Sequence, residues 1–279
     1  MRVQFLRRRK LGFGSCKGMV QYMQEAGLDA SVVRNDRGVA DAPIVIRWGC
    51  TSNTSGNNII INPSEGIHRV NNKAAFRMLL QDEGVSVPTS YFSKADTILP
   101  ILGGSKLIGR PAHHSQGKWA VVCETEEDVR RDNTSDYWSI IIPKEREYRV
   151  YCFFGLVIAV AEKVPNDPAA LLWNRAQNGS IFHNVRWSSW PINSIKEALK
   201  VHKLSRCDFE GIDVMEYQGR PYILESNSAP SMSTEYRKQC FAKGFTWVHN
   251  YIAEQNVKPP HYDIPSGDSY RHFIHPAIG

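Results

Sequence analysis

The stretch Glu210-Gly-Ile-Asp-Val-Met-Glu-Tyr-Gln-Gly-Arg-Pro-Tyr-Ile-Leu-Glu-Ser-Asn-Ser-Ala-Pro230 predicts a β-hairpin, because two apolar, aromatic-containing runs flank a polar turn with a glycine. A turn over residues 218–220 would place Asp213 opposite Glu225 in the paired strands. Residues opposite each other share a face of a sheet, and so do residues two apart along a strand. Asp213, Glu225 and Asn227 should therefore cluster at one end of the hairpin.

Two carboxylates and an amide oxygen at this spacing predict a metal site made of Asp213, Glu225 and Asn227. The negative charges would repel each other unless a hard divalent cation lay between them. Mg²⁺ prefers one or two carboxylates together with phosphate oxygens and water. The alternative is an ordinary hairpin with acids on its surface, in which Asn227 serves as a turn former ahead of Ala229-Pro230.

The composition describes a globular chain with an uneven distribution of charge. Of the 279 residues, 42% are apolar and 22% are charged, which argues against a disordered protein. The net charge of +6 suggests a nucleic-acid-binding protein, but residues 1–50 alone hold nine Lys/Arg against four Asp/Glu. Because the remainder is nearly neutral, the excess positive charge indicates an acidic substrate rather than a polyanion.

Several other classes of protein are disfavoured. No run of 18 apolar residues is present, so we expect no membrane span. The basic N-terminus lacks an apolar segment behind it, so we expect no signal peptide. The six cysteines contain no C-x-x-C motif, which predicts reduced thiols in a cytoplasmic protein. The histidines show no zinc-binding pattern.

Residues 1–65 alternate helical and strand patterns, which predicts a small α/β unit. The Gly12-x-Gly14 pair lacks the third glycine of a dinucleotide-binding motif. Arg47, Trp48 and the polar loop 51–56 follow a predicted strand. Ligands bind at the carboxyl ends of strands in such units, so these residues are candidate substrate contacts.

Beyond residue 70 the pattern predicts a helix from Lys73 to about Asp82, capped by Asn72. Ser194 and Glu197 form a capping-box pattern, which predicts the start of a later helix. The other predicted elements are helices at 16–26 and 125–131 and strands at 30–33, 44–47, 58–61, 106–110, 119–122, 137–142, 147–154 and 156–163.

Taken in order, the segments from Asn71 to Met232 resemble the ATP-grasp superfamily of carboxylate–amine ligases. The resemblance is closest to the D-alanine–D-alanine ligase and ribosomal-protein glutamate ligase types, and its most specific part is D-x₁₁-E-x-N followed by a proline. It implies an α/β fold with α+β subdomains. A small N-terminal α/β domain (1–70) would precede a central subdomain with a phosphate loop (71–138) and a C-terminal subdomain with the metal site (139–255), which together clasp ATP; a surface tail (256–279) would follow.

The resemblance also implies a set of nucleotide contacts. The phosphate contacts would be Lys73, Arg110, Lys163 and the loop residues Ser115, Gln116, Gly117 and Lys118. Ile141 and Ile142 would sandwich the adenine, and Glu147 would bind the ribose hydroxyls. Simpler readings stay open: water-facing lysines at 73 and 163, a surface turn at the loop, and a surface ion pair between Glu147 and Arg149.

The catalytic assignment is less specific. The arginine that some ligases place two residues before the metal-binding aspartate is Gly211 in this chain. By the resemblance, stabilisation of the developing negative charge passes to Arg149, Asn174 or Arg175, and the sequence does not choose among them.

The implied activity is ATP-dependent formation of an amide or peptide bond through an acyl phosphate, with release of ADP and phosphate. The cofactors would be ATP and Mg²⁺, with Mn²⁺ as a substitute. The substrates would be small-molecule or peptide carboxylates and amines. The excess positive charge of residues 1–50 indicates that they are acidic. The alternatives are a kinase on the same fold, an ATP-binding domain without catalysis, and a nucleic-acid-binding protein that uses the basic segment 7–10. A homodimer stays open as the assembly.

Overall fold

The structure is a computed structural model that describes residues 1–9, 12–114, 119–171, 173 and 179–279. Within these ranges the chain forms three sheets with helices packed against them. No described helix combines the length and the apolar character needed to cross a membrane.

The first sheet is parallel and has the strand order β2-β1-β3-β4. Its elements are β1 (Val3–Arg7), α1 (Phe13–Glu25), β2 (Ala30–Arg34), β3 (Ile44–Trp48), β4 (Ile59–Ile61) and α2 (Ser64–Asn71). β1 and β3 are buried along their whole length, as expected for central strands of a parallel sheet. The α/β character predicted for this region is confirmed. The sequence pattern does not predict β1, a short strand between Arg2 and the basic run 7–10, or α2, whose apolar residues are few and interrupted by charged ones.

Gly12, the first glycine of the Gly12-x-Gly14 pair, has a packing role at the start of α1. Gly12 precedes the helix with φ +73°, and a Cβ at this position would lie 2.3 Å from Cδ1 of Trp48. Trp48 is fully buried and its ring stacks on Phe209 at 5.0 Å. The expectation that Trp48 contacts a substrate is therefore wrong, because its indole lies in the core between the first and third sheets.

The second sheet is antiparallel and has the strand order β5-β8-β6-β7. Its elements are α3 (Lys73–Asp82), β5 (Ser90–Tyr91), α4 (Ile98–Leu102), β6 (Leu107–Arg110), β7 (Val121–Cys123), α5 (Glu126–Arg131) and β8 (Tyr137–Ile140). The predicted start of α3 is confirmed, since the Asn72 side chain accepts a hydrogen bond from the Ala75 N–H.

The third sheet is antiparallel and has the strand order β11-β10-β9-β12-β13. Its elements are β9 (Arg146–Phe153), β10 (Leu156–Val164), β11 (Ile181–Asn184), α6 (Ile192–Ser205), β12 (Phe209–Tyr217), β13 (Arg220–Asn227) and α7 (Glu235–Gln255). α7 covers one face with Phe241 and Phe245, and α6 covers the other face with Ile195 and Leu199. The two faces thus belong to separate apolar cores.

The hairpin of β12 and β13 reaches the predicted register by a different route. Its turn contains only Gln218 and Gly219, both with positive φ, so the predicted three-residue turn is wrong. A bulge at Leu224 then adds one residue to β13 and restores the pairing of Asp213 with Glu225. The predicted juxtaposition of these two carboxylates is confirmed because the two deviations cancel.

The capping box predicted for the start of α6 is also wrong. The helix begins at Ile192, two residues before Ser194. Ser194 Oγ donates to Glu216 at 2.6 Å, and the Glu197 carboxylate accepts the backbone N–H of Ser86. Both side chains make tertiary contacts that the local pattern could not reveal.

The last segment, expected as a surface tail over residues 256–279, packs closely on the end of the third sheet. The Tyr262 N–H donates to the Phe154 carbonyl at 2.8 Å, and the His275 N–H donates to the Val157 carbonyl at 2.9 Å. Phe273 and His275 are fully buried. Apolar residues spaced among the prolines and polar residues explain why this packing is not evident from composition.

Gly155, in the tight turn between β9 and β10, offers a test of this packing. Its φ is +89°, and a Cβ would lie 2.2 Å from the Tyr262 carbonyl oxygen. We expect Gly155→Ala to lower the free energy of unfolding, measured in urea, by on the order of 3 kcal/mol. Gly219→Ala is the matched control, since Gly219 has φ +71° with no neighbouring atom within 4 Å, and it should cost only about 1 kcal/mol. Equal losses would show that the tail does not contribute.

Candidate active site

One face of the third sheet changes from apolar to charged along β9. Alternate residues of a strand share a face, and Tyr151 and Phe153 lie in the core beneath α7. Glu147 and Arg149 continue the same face beyond that core, and both are buried. The charged end of this face is where the predicted site residues meet.

Arg149 and Asp213 form a bidentate ion pair across β9 and β12. Arg149 Nε lies 2.5 Å from Asp213 Oδ1, and Nη2 lies 2.7 Å from Oδ2. Burial would lower the pKa of Arg149, but the Asp213 carboxylate outweighs this effect and holds that pKa above its usual value. The alternative of a surface ion pair between Glu147 and Arg149 is wrong, because Arg149 is committed to Asp213.

Glu147 lies between two lysines. Its side chain is 2% exposed, Lys144 Nζ lies 2.7 Å from Oε2, and Lys163 Nζ bonds to Oε1. Lys163 Nζ also lies 3.9 Å from Asp213 Oδ2, which links Glu147 and its lysines to the ion pair of Arg149 and Asp213. Burial would raise the pKa of Glu147, but the two ammonium groups outweigh it and lower that pKa. The water-facing reading of Lys163 is therefore wrong.

Lys73 lies at the first position of α3 and reaches the end of β13. It is buried, and its ammonium donates to the carbonyl of Ser226, the residue between Glu225 and Asn227. Burial lowers the pKa of Lys73, while the negative charges of Glu225 and Asp213 pull in the opposite direction. The water-facing reading of this lysine is also wrong.

Glu225 and Asn227 complete the cluster on β13. Asn227 Nδ2 donates to Glu225 Oε1 at 3.0 Å. Burial would raise the pKa of Glu225, but Lys73, Asn227 and Arg149 together hold it well below its usual value. The carboxylate is therefore ionised at neutral pH and available to a cation.

The donor oxygens in this cluster are of the kind that a hard cation prefers. Within the described ranges, Glu225 Oε2 and Asn227 Oδ1 accept no hydrogen bond, whereas both oxygens of Asp213 are bonded to Arg149. The described residues contain no group of three His, Cys, Asp or Glu side chains suited to a metal. A divalent cation would therefore rely on Glu225 and Asn227 and would compete with Arg149 for Asp213.

Arg110 and the segment after β8 lie on the side of the second sheet. Arg110 ends β6 and makes no ion pair or side-chain hydrogen bond with the residues that the structure describes. Ile141 and Ile142 are half-buried and follow β8, and the Ile141 N–H donates to the Lys106 carbonyl at 2.8 Å. Because Lys144 lies two residues after Ile142, this segment leads directly into the charged cluster.

Sequence reasoning missed two residues of the site. Arg77 is buried on α3 and donates to the carbonyls of Ile223 and Leu224, so it holds the bulge that sets the hairpin register. Its position four residues after Lys73 was the available signal, since such residues share a helix face. Lys144 gave no comparable signal, because it precedes β9 in an irregular segment.

The remaining predicted residues lie outside the described ranges. They are Ser115, Gln116, Gly117 and Lys118 of the phosphate loop, and Asn174 and Arg175 of the substrate loop. The roles predicted for them stay predictions. His114, immediately before the first of these segments, is described; burial and the charge of Arg110 lower its pKa to about 4, so it is neutral at pH 7.

The curated proteins that this chain resembles are named as ligases. No protein-family model matches the chain. It is 28% identical over 208 residues to a protein of Shewanella halifaxensis named probable alpha-L-glutamate ligase, a match that covers 68% of this chain and 44% of that protein. A protein of the same name from Vibrio vulnificus is 24% identical over 213 residues, covering 72% of this chain and 68% of that protein. The chain thus spans less than half the length of the first relative.

Solved structures of low identity share the fold over most of the chain. The ATP-grasp ligase PsnB, solved with a minimal precursor, Mg and ADP, has a TM-score of 0.66 at 11% identity, covering 88% of this chain and 96% of PsnB. The D-alanine–D-alanine ligase of Bacillus anthracis, solved with ATP, has a TM-score of 0.65 at 13% identity, covering 91% and 99%. The chain therefore has the ATP-grasp fold that the resemblance of its segments implied.

Proposed function

We propose that this protein is an ATP-dependent carboxylate–amine ligase that forms an amide or peptide bond. The observation that carries the proposal is the buried cluster at one end of the third sheet, where Lys73, Arg149 and Lys163 alternate with Glu147, Asp213 and Glu225. Neither a structural core nor a nucleic-acid-binding surface requires such an arrangement. The ligase names of the relatives and the shared fold support the same reading.

The reaction has two steps. A substrate carboxylate oxygen attacks the γ-phosphorus of ATP, the bond from that phosphorus to the β–γ bridging oxygen breaks, and ADP leaves. The amine nitrogen then attacks the acyl carbon, the carbon–oxygen bond to phosphate breaks, and the nitrogen loses a proton. Phosphoryl transfer needs positioning and charge neutralisation more than covalent help from the protein.

The residues of this chain fit those needs. Lys163 is fixed by Glu147, and Lys73 is fixed by the Ser226 carbonyl, so both cations are held before a substrate arrives. Fixed charges in a site shielded from water stabilise a developing anion more than mobile ones do. Arg110, without a protein partner in the described residues, is the cation best placed to turn toward phosphate oxygens.

Mg²⁺ is the cofactor that the oxygen donors fit, with Glu225 and Asn227 as ligands and Asp213 as the third. Mn²⁺ would substitute because it prefers the same donors. When bound, the cation supplies positive charge beside the phosphates. The similar structures solved with Mg and ADP or with ATP support ATP and Mg²⁺ as cofactors.

The substrates are proposed to be acidic and to reach the site from the first sheet. Arg7 and Arg47 lie at the carboxyl ends of β1 and β3, where the strand order of the parallel sheet reverses. Both side chains are buried, and each has an Nε atom without a partner in the described residues. Ser15 Oγ accepts the Met232 N–H at 3.1 Å, so this crevice adjoins the chain just after the metal site. A peptide substrate agrees with the precursor bound to PsnB.

The proposed location is the cytoplasm. All six cysteines are free and buried, as expected for thiols in a reducing compartment. Burial also raises the pKa of the Cys16 and Cys152 thiols, so they are unreactive.

The decisive experiment is an ATP-turnover screen with Mg²⁺ against pairs of amino acids, peptides and polyamines, followed by mass spectrometry of the products. A ligase releases ADP and free phosphate and gains a product that is lighter by one water than its two substrates together. A kinase gives ADP and a stable phosphorylated product with no free phosphate. Absence of turnover with every pair, together with salt-sensitive binding of nucleic acid, would favour the basic-segment alternative instead.

A further inference from the structure

A cavity lies at the end of the third sheet that is far from the charged cluster. It has a volume of about 330 Å³ and is lined by the end of α6, the Gly155 turn and the segment 258–264. Gly155 follows β9 and Glu147 lies near its start, so roughly 25 Å of strand separates this cavity from the charged cluster. The cavity is large enough for a small organic molecule.

The charge of the lining favours an anion, because its basic side chains outnumber its carboxylates: Lys203, Arg206 and Lys258 against Asp208 and Asp263. Asp208 is saturated, because it accepts hydrogen bonds from Lys258 and His261, each at 2.9 Å, and from the Asn62 N–H at 2.7 Å. These donors, together with Lys258's charge, outweigh burial and hold the pKa of Asp208 below its usual value. Lys203, by contrast, makes no ion pair with any described residue and is exposed at the rim.

His202 gives the cavity a polar wall. The residue is 1% exposed, and its Nδ1 lies 2.8 Å from Glu210 Oε1. Because a carboxylate oxygen accepts, Nδ1 carries the proton of this bond, and Nε2 has no partner in the described residues. A buried polar atom without a partner is unfavourable. An anion that binds together with one proton from solvent, taken up on Nε2, would let both ring nitrogens donate, one to Glu210 and one to the ligand.

A buried chain of hydrogen bonds connects this histidine to the charged cluster. Glu210 accepts from His202 and Ser205 through Oε1 and from Ser226 Oγ through Oε2. The Ser226 carbonyl in turn accepts from the Lys73 ammonium. Ser226 lies between the two proposed ligands of β13, so a displacement of Glu210 would reach the site directly.

We propose that this cavity is a regulatory site for a small anion bearing a carboxylate or phosphate group, coupled to the nucleotide site through Glu210 and Ser226. The binding part stands independently, whereas the regulatory part rests on the proposed function. A bound anion changes the hydrogen bond that Ser226 Oγ donates to Glu210. The resulting shift of Ser226 changes the position of Lys73, which donates to the Ser226 carbonyl. Such coupling is reciprocal, so nucleotide must change the affinity for the anion by the same factor.

The binding part is tested by NMR of the histidine ring nitrogens in the full chain, titrated separately with inorganic phosphate and with succinate. Saturable shifts of His202 and His261 are expected with at least one probe, and the responding probe identifies the chemistry. Lys203→Gln should weaken this binding about fivefold, by loss of one ion-pairing partner. Lys243→Gln, an exposed lysine on α7, is the control and should not change it. Absence of saturable shifts with both probes, or equal effects of the two variants, would overturn the site.

The regulatory part is tested by the affinity for the non-hydrolysable analogue AMPPNP with Mg²⁺, measured by calorimetry with and without the responding anion. We expect the anion to change the dissociation constant about fivefold or more, and AMPPNP to change anion affinity equally. Glu210→Gln should remove this coupling while histidine shifts persist. Unchanged AMPPNP affinity in the wild-type chain would overturn the regulation without recourse to a variant. Failure to bind AMPPNP at all would instead contradict the proposed function and leave the anion site standing.

Discussion

Replacement of Glu225 by Gln should reduce ATP turnover with Mg²⁺ at least about 100-fold. Glutamine preserves the volume of the side chain and can still accept the hydrogen bond from Asn227, but it removes the negative charge that faces Lys73. The proposed cation would then lose the carboxylate that has a free oxygen. Turnover is measured as ADP release with the substrate pair found in the product screen.

The stability of this variant has a defined pH dependence. The pKa of Glu225 is lower in the folded chain than in the unfolded chain, so its ionised form stabilises the fold above the unfolded pKa. That contribution is lost as the pH falls through the folded pKa. Glu225→Gln should therefore be less stable than wild type at pH 7, and this difference should shrink in acid. Thermal melts of the variant and of wild type at pH 7 and at an acidic pH measure this difference in stability separately from the loss of activity.

Glu254→Gln is the matched control for charge. Glu254 is exposed on α7 and has no ion-pair partner in the described residues, so turnover should be unchanged. Near-wild-type turnover of a folded Glu225→Gln variant would exclude this carboxylate from the metal site. A loss of the same size in both variants would indicate a general effect of net charge instead.

The hairpin shows both the strength and the limit of sequence reasoning for this chain. Alternation along β12 and β13 predicts a shared face for Asp213, Glu225 and Asn227, because strand periodicity is a local property. The predicted pairing of Asp213 with Glu225 is correct only because the shorter turn and the bulge cancel. The predicted turn length is wrong, because Gln218 adopts a positive φ and Leu224 forms a bulge that strand periodicity does not report. Arg77 binds the carbonyls at the bulge from α3, about 150 residues earlier in the chain, and no local pattern reports these contacts.

Burial of the charges was equally hidden. Lys73 and Lys163 had plausible water-facing readings, because a lysine at the end of an element is usually solvated. Their burial follows from partners supplied by other strands: the Ser226 carbonyl for Lys73 and Glu147 for Lys163. The resemblance to a known superfamily supplied the order of the segments, and the structure supplies the pairings that make them one cluster.

Replacement of Arg149 by Met should lower the free energy of unfolding by about 3–5 kcal/mol, because it leaves the Asp213 carboxylate buried without its bidentate partner. The double variant Arg149→Met/Asp213→Leu removes both charges and should recover most of that loss, as buried ion pairs replaced by apolar side chains often do. Turnover should nevertheless stay abolished in the double variant, since it lacks both a proposed metal ligand and a proposed catalytic cation. Urea unfolding and ADP release measure the two quantities separately.

Arg146→Met is the control on the same strand. Arg146 also makes a two-pronged contact, with Glu162, but its side chain is 52% exposed, so the loss should be below about 1 kcal/mol. If the double variant regained both stability and turnover, the pair would be structural and the site would lie elsewhere. If it regained neither, burial of the ion pair would not be the source of the destabilisation. We expect the double variant to recover its stability but not its turnover. The apolar side chains then pack in place of the buried ion pair, whereas the phosphates lack the charge of Arg149, and this result assigns the pair a role in turnover.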